Sequence, residues 1–239
     1  PNSFNDVYVL GTGESIKKFD TDNIDNDAAV IVCNTIVKNK PLFTKLNPTI
    51  VVAGDALYHF SDELFSRNFQ DDLQICLNDN PDTIFIYPQV FECFMVRTFG
   101  GSNCSQLKGI PILNEKKVDS LRRSFSLPRY GNSFNLLSFP VAKYLVRNNI
   151  YFVGYDGKGK EDENFWKNQE DIFYTEEANI LLENNKAFRK HFLETQNYSK
   201  RVFGDGLESR MNKVEKSGIN LVTLFPSYTD AFKKRYHEK

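Results

Sequence analysis

Residues 5–34 read NDVYVLGTGESIKKFDTDNIDNDAAVIVCN, and this stretch decides the fold class. Residues 7–10 are a short β-branched and aromatic run that suits a buried strand. Gly11-Thr12-Gly13-Glu14-Ser15 follows at once. Two glycines let the chain turn sharply and bring bare N–H groups close to a ligand. Ile16 and Phe19, spaced i, i+3, fit one or two helical turns, and a helix starting near Ser15 would aim its free N–H groups and positive dipole end at the loop. Residues 29–33 form the next strand, which ends on the polar Asn34. The expected picture is a phosphate-bearing ligand held over the ends of parallel strands.

The loop departs from the common phosphate motifs. GTGES lacks the third glycine of a dinucleotide fingerprint, and no Gly-Lys-Ser/Thr follows as in a Walker loop. A glycine turn that merely closes a strand is the structural alternative, and the loop alone leaves both open.

Composition narrows the classes. The chain has 239 residues with 41% hydrophobic and 14% aromatic side chains, which suits one α/β domain of generous size or a domain with a small lid. A net charge of −1 argues against a general nucleic-acid footprint. Cys33, Cys76, Cys93 and Cys104 show no CxxC pairing and read as reduced thiols, Cys33 as a small core residue. No apolar run approaches the roughly 18 residues of a membrane span, and no secretion signal is visible. The first residue is Pro1 rather than Met, so the chain reads as a trimmed piece. The expected location is the cytoplasm, extending to the inner membrane face.

Further along, residues 49–53 (TIVVA) make a third strand closed by Gly54-Asp55. Residues 45–48 are a turn, 56–69 a helix, and 73–77 and 83–87 two more strands. Residues 91–128 are the least regular part and read as an excursion over the site, with Arg122, Arg123 and Arg129 at its end, either a solvated face or a contact for an anionic substrate. Gly131-Asn132-Ser133 opens a helix over 134–146, with Asn132 or Ser133 as its N-cap and a second anion cradle at its start. Residues 150–153 are a strand ended by Gly154-Tyr155-Asp156-Gly157. The charged stretch 158–169, which carries Trp166, reads as a mobile loop. Helices over 176–192 and 207–216, a last strand over 219–224 and a frayed tail over 233–239 complete the pattern. Strand and helix alternate, so the expected fold is α/β: a Rossmann-like, mostly parallel sheet flanked by helices, one domain over 1–239 with 157–200 as a lid.

Four ordered stretches carry a family resemblance: VYVLGTGESIKKFD (7–20), VIVCN (30–34), GNSFNLLSFPVAKYLVRNNIYFVGYD (131–156) and GINLVTLFPSY (218–228). Together they resemble the bacterial sialyltransferases of glycosyltransferase family 42, and the related proteins of the six-hydroxymethylpterin diphosphokinase-like fold, toward which TIVVAGD (49–55) leans. The resemblance implies a sheet of the GT-A-variant kind. It implies an inverting, metal-independent transfer of a sialic-acid-like or other acidic sugar from a CMP-linked donor to a glycan acceptor, in bacterial surface polysaccharide biosynthesis. No cofactor is implied. Gly11, Thr12, Gly13 and Ser15 would lie along the nucleotide phosphate, Asn34 would hydrogen-bond the nucleotide or its sugar, Asn132 and Ser133 would contact the donor, and Gly154 and Asp156 would border the cytidine or ribose.

Two departures stand out. Where the family places tyrosines for the leaving phosphate, this chain has Gly157-Lys158-Gly159-Lys160, and Lys158 can neutralise that phosphate as a point charge. The family's histidine base is replaced by the neighbourhood of Arg201, Gly204 and Asp205, so Asp205 or the upstream His191 would take the acceptor proton. The alternatives are a Mg²⁺-dependent diphosphokinase-like enzyme, with Asp55 and Asp156 as oxygen ligands, and a non-catalytic domain of a surface-glycan biosynthesis protein. His59 reads as a half-buried structural histidine. Tyr174 and Trp166 read as core or lid packing or as stacking platforms. The expected partners are a nucleotide sugar and a glycan, without nucleic acid. Peripheral membrane association and the oligomeric state stay open.

Overall fold

The computed structural model describes residues 3–100, 105–111, 133–157, 169–186, 203 and 206–238. Seven strands form one sheet among these residues: β1 (Phe4–Leu10), β2 (Ala29–Cys33), β3 (Ile50–Val52), β4 (Ile84–Pro88), β5 (Leu107–Ile110), β6 (Val146–Val153) and β7 (Asn220–Thr223). Their order is β5-β4-β3-β2-β1-β6-β7, and every pairing is parallel. The α/β, Rossmann-like expectation is met.

The side-chain period of two sorts the strands onto two buried faces. Tyr8, Leu10, Val30, Val32, Val51, Phe85 and Tyr87 face one cluster, and Val7, Val9, Ala29, Ile31, Val52 and Phe152 face the other. The first is covered by α1 (Lys40–Leu46), α3 (Leu64–Asp79), α4 (Glu92–Phe99) and the segment 172–182, through Phe43, Phe69, Leu73, Met95, Phe99 and Leu181. The second is covered by a π-helical turn (Phe134–Ser138), α5 (Phe139–Leu145), α7 (Leu207–Glu215) and α8 (Asp230–Lys233), through Phe134, Leu137, Met211 and Phe232. Each large apolar side chain so buried contributes about 1.5–3 kcal/mol.

Several elements differ from the sequence reading. Residues 73–77, expected as a strand, belong to α3, because Phe65, Phe69, Leu73 and Leu77 make one i, i+4 stripe against the sheet. The expected helix over 56–69 is split into α2 (Ala56–His59) and α3, the Ser61 amide donating to Ser66 Oγ at 3.0 Å instead of into a helical ladder and its hydroxyl donating to the Leu57 carbonyl at 2.7 Å. Within 91–128, α4 and the edge strand β5 are regular. Within 157–200, α6 (Thr175–Asn184) is docked on the main core through Ala178, Leu181 and Leu182. The tail is not frayed: Arg235, only 5% exposed, bonds Glu215 at 2.6 Å, Glu208 at 3.2 Å and Asn212 at 2.8 Å. No helix among the described residues is long and apolar enough to cross a membrane.

Candidate functional site

Register sets the site. Leu10 lies beside Val32 on one side and Val153 on the other, and Val32 lies beside Val51. The residues that follow, Gly11, Asn34, Gly54 and Gly154, therefore leave the sheet along one rim at the strand C-termini. The chain steps outward from β1 to β5 and then returns to β6 on the far side of β1, so the order reverses between β1 and β6. Ligands of open α/β sheets bind above such a reversal.

At this reversal the two glycine-containing bends meet each other. The Gly11 amide donates to the Val153 carbonyl at 2.8 Å, and the Gly13 amide to the Gly154 carbonyl at 2.9 Å. A Cβ on Gly11 would stand 2.6 Å from the Gly154 oxygen, and one on Gly154, whose φ is +71°, would stand 2.3 Å from the Gly11 oxygen. The glycines are required by loop-on-loop contact, not only by a ligand. Asp156 then closes the seam. Its carboxylate accepts from the Ser15 amide at 2.7 Å and from the Ser15 hydroxyl, which in turn accepts from the Gly154 amide at 3.1 Å. Burial pushes the Asp156 carboxyl above its ordinary range, and the Ser15 hydrogen bonds oppose that rise. The element after the loop is a five-residue 3₁₀ helix (Glu14–Lys18) whose start is already occupied by Asp156. This corrects the expectation that Gly11, Gly13 and Ser15 all offer free amides. The Thr12 and Glu14 amides are the ones with no hydrogen-bond partner among the described residues.

Beside this seam, Asn34 and Ser133 come together. Asn34 takes a left-handed conformation with φ of 56°, which an asparagine tolerates better than most residues. Ser133 Oγ donates to Asn34 Oδ1 at 2.6 Å and accepts from the Gly54 amide at 2.9 Å. Ser133 stands at the helix start as expected, but its hydroxyl does not cap it. Its backbone is already helical, and its side chain makes no capping bond because it ties β2 to the end of β3. The Asn34 Nδ2 group has no partner among the described residues and can donate to an acceptor-rich ligand.

Asp55 is an N-cap, its Oδ1 accepting from the Leu57 and Tyr58 amides at 3.0 and 3.1 Å. His59, 4% exposed, accepts the Asp55 amide on Nδ1 at 3.2 Å. Burial pulls its pKa down to about 4, so it is neutral at physiological pH, and it is more deeply buried than the half-buried histidine expected. Asp55 and Asp156 follow β3 and β6, three strand spacings or about 14 Å apart. Both carboxylates are engaged by the protein, Asp55 by the Leu57 and Tyr58 amides and Asp156 by Ser15. Among the described residues no three His, Cys, Asp or Glu side chains gather to hold a metal ion. Cys33 is buried beside Tyr155, and burial pushes its thiol up to about 11. Tyr174 is core: its hydroxyl meets the Asp72 carboxylate and its ring packs edge-on against Phe65.

Lys158, His191, Asp205 and Asn132 lie outside the described residues, as do Arg122, Arg123, Arg129, Trp166 and Cys104. Two further residues escaped the sequence reading. Tyr228, 71% exposed, sits on a turn fastened to the end of β6: its amide donates to the Asp156 carbonyl at 2.6 Å, and Ser227 Oγ to the Tyr155 carbonyl at 2.7 Å. Its position within the conspicuous Pro-Ser-Tyr turn was the available signal. Arg210, inside a charged helix, carried none.

No protein-family model matches the chain, and no curated protein sequence does. Solved structures do. The sialyltransferase CstII from Campylobacter jejuni in complex with cytidine-5'-monophosphate is similar at 15% identity over 97% of this chain and 88% of that one, with a TM-score of 0.49. The sialyltransferase CST-II in complex with a trisaccharide acceptor and CMP is similar at 16% identity over 96% and 88%, with a TM-score of 0.48. The alpha-2,3-sialyltransferase from Campylobacter jejuni in its apo form is similar at 12% identity over 100% and 84%, with a TM-score of 0.47.

Proposed function

We propose that this chain is a glycosyltransferase that moves an acidic, sialic-acid-like sugar from a CMP-linked donor to a glycan acceptor, with inversion and without a metal. The observation that carries the reading is the Gly54–Ser133–Asn34 hydrogen-bonded chain, standing at the strand C-termini beside the point where the strand order reverses. Its Asn34 amide, uncommitted among the described residues, stands on the same rim as the Thr12 and Glu14 N–H groups. That is a row of donors suited to the carbonyl, ribose and phosphate oxygens of a nucleotide. The sequence resemblance supplies the donor class.

In this reading Asp205 or His191 takes the proton of the acceptor hydroxyl, and Lys158 neutralises the departing nucleotide phosphate. Inversion follows from one direct displacement at the sugar's anomeric carbon, with CMP as the leaving group. The test is calorimetric titration with CMP, CDP, UDP and GDP, followed by an assay of CMP release from a CMP-linked sialic acid in the presence of a chelator. Cytidine-selective binding and chelator-resistant turnover support the reading. Equal weak binding of all four nucleotides, or turnover abolished by the chelator, overturns it.

A further inference from the structure

Arg210 is the fourth residue of α7, and its guanidinium is held among neutral groups. Nη2 donates to Asn135 Oδ1 at 2.7 Å and to the Phe203 carbonyl at 3.1 Å, while Nε is buried without a hydrogen-bond partner. No carboxylate pairs with Arg210 among the described residues. The acid of the same helical turn, Glu208, is engaged by Arg235 at 3.2 Å and Lys234 at 3.4 Å. Burial pulls the guanidinium below its ordinary pKa. A cation in a first helical turn also opposes the helix dipole. Each of these effects destabilises the charge, and the described residues supply no opposite charge to offset them.

Placement gives the charge a purpose. Asn135, which receives the guanidinium, stands in the same helical segment as Ser133, and α7 leads into the parallel strand β7, so its first turn lies at the strand C-terminal end of the sheet, the end that carries the Asn34–Ser133 pair. At the start of α7, Gly206 leaves room for the other edge of the fork: a Cβ there would stand 2.9 Å from Nη1. Nη1 makes no hydrogen bond among the described residues.

We propose that Arg210 is an anion-recognising residue of the rim site, taking a carboxylate or phosphate oxygen of the ligand on Nη1. The identity of that ligand rests on the nucleotide-sugar reading. Its sugar carboxylate and its phosphate are the two sources of the anion.

The experiment is calorimetry of the whole chain and its Arg210→Gln variant with cytidine, CMP, a CMP-linked sialic acid and inorganic pyrophosphate. Arg210→Gln is expected to weaken the anionic ligands about 10- to 100-fold, the loss of one charge-assisted hydrogen bond, and to leave cytidine unchanged. A loss for CMP and donor alike assigns the phosphate, and a loss for the donor alone assigns the carboxylate. Equal affinity of both proteins for both ligands overturns the proposal. If the unaltered chain binds neither CMP nor donor, the transferase reading fails, and pyrophosphate decides Arg210 separately: tighter binding by the unaltered chain upholds it, and equal binding overturns it. Should Arg210→Gln not fold, Gly206→Ala decides, because its φ of −90° accepts alanine and the new Cβ displaces Nη1. A several-fold loss for the same ligands is expected there, and no loss overturns the proposal.

Discussion

Ser133 and Asn34 stand 99 positions apart in the chain, yet the serine hydroxyl donates to the asparagine carbonyl at 2.6 Å. That bond holds a left-handed residue at the end of β2 and places its amide on the rim. Ser133 is 2% exposed, so Ser133→Ala leaves the Gly54 amide and Asn34 Oδ1 without their partner where water reaches poorly. It is expected to cost about 1–2 kcal/mol of stability by denaturant titration and to weaken nucleotide binding. Unchanged binding by a folded Ser133→Ala variant would place the ligand elsewhere.

Gly154→Ala is expected to be far more damaging. It forces a side chain onto a φ of +71° and drives its Cβ to 2.3 Å from the Gly11 backbone oxygen, an atom that cannot step aside without moving β1. The combined cost is about 2–5 kcal/mol, read as a lowered midpoint in urea. A midpoint within error of the parent would mean that the two loops are not in contact.

The half-buried Asp156 gives a pH signature. Its folded pKa lies above the ordinary value of 3.8, so between the two values the folded state holds a proton that the unfolded state has released. This group's stability contribution is therefore present below pH 3.8 and declines as pH rises through the folded value. Thermal melts from about pH 3 to 7 should show the parent losing stability relative to Asp156→Asn as pH rises through that window. A difference independent of pH would contradict the burial.

His59 works in the opposite direction. Its folded pKa of about 4 lies below the unfolded 6.5, so the unfolded chain gains a proton first on acidification. Stability falls as pH drops from 6.5 toward 4, by roughly 3 kcal/mol from this one group. The imidazole resonance of His59 should stay flat between about pH 5 and 8. A midpoint near neutrality would return His59 to the list of candidate bases.

Tyr228→Ala should separate binding from folding. The ring is 71% exposed, so its removal is expected to leave the melting temperature within error. Under the transferase reading the ring stacks on donor or acceptor, and its loss should raise the corresponding KM roughly 10-fold, with Tyr228→Phe close to the parent. Parent-like kinetics in both variants would make the ring a bystander.

The alternation of Val7, Val9, Ile31 and Val52 against Leu10, Val32 and Val51 marks strands buried on both faces, and buried parallel strands need helices between them. That pattern is local, so the sequence by itself determined the α/β class, six of the seven strands, and the bends at Gly11–Ser15 and Gly154–Asp156. Residues 73–77 misled because a short apolar run fits either a strand or one side of a helix, and only the i, i+4 stripe against the sheet separates the two. The tertiary structure decided what the polar groups do. Asp156 accepts from Ser15, Asp55 caps α2, and Ser133, at a helix start, spends its hydroxyl tying two strands rather than capping that helix. Among the described residues Arg210 has no counter-charge, Glu208 being engaged by Arg235. These outcomes depend on which distant segments the strand order brings within hydrogen-bond reach, about 3 Å, and no spacing along the chain encodes that distance.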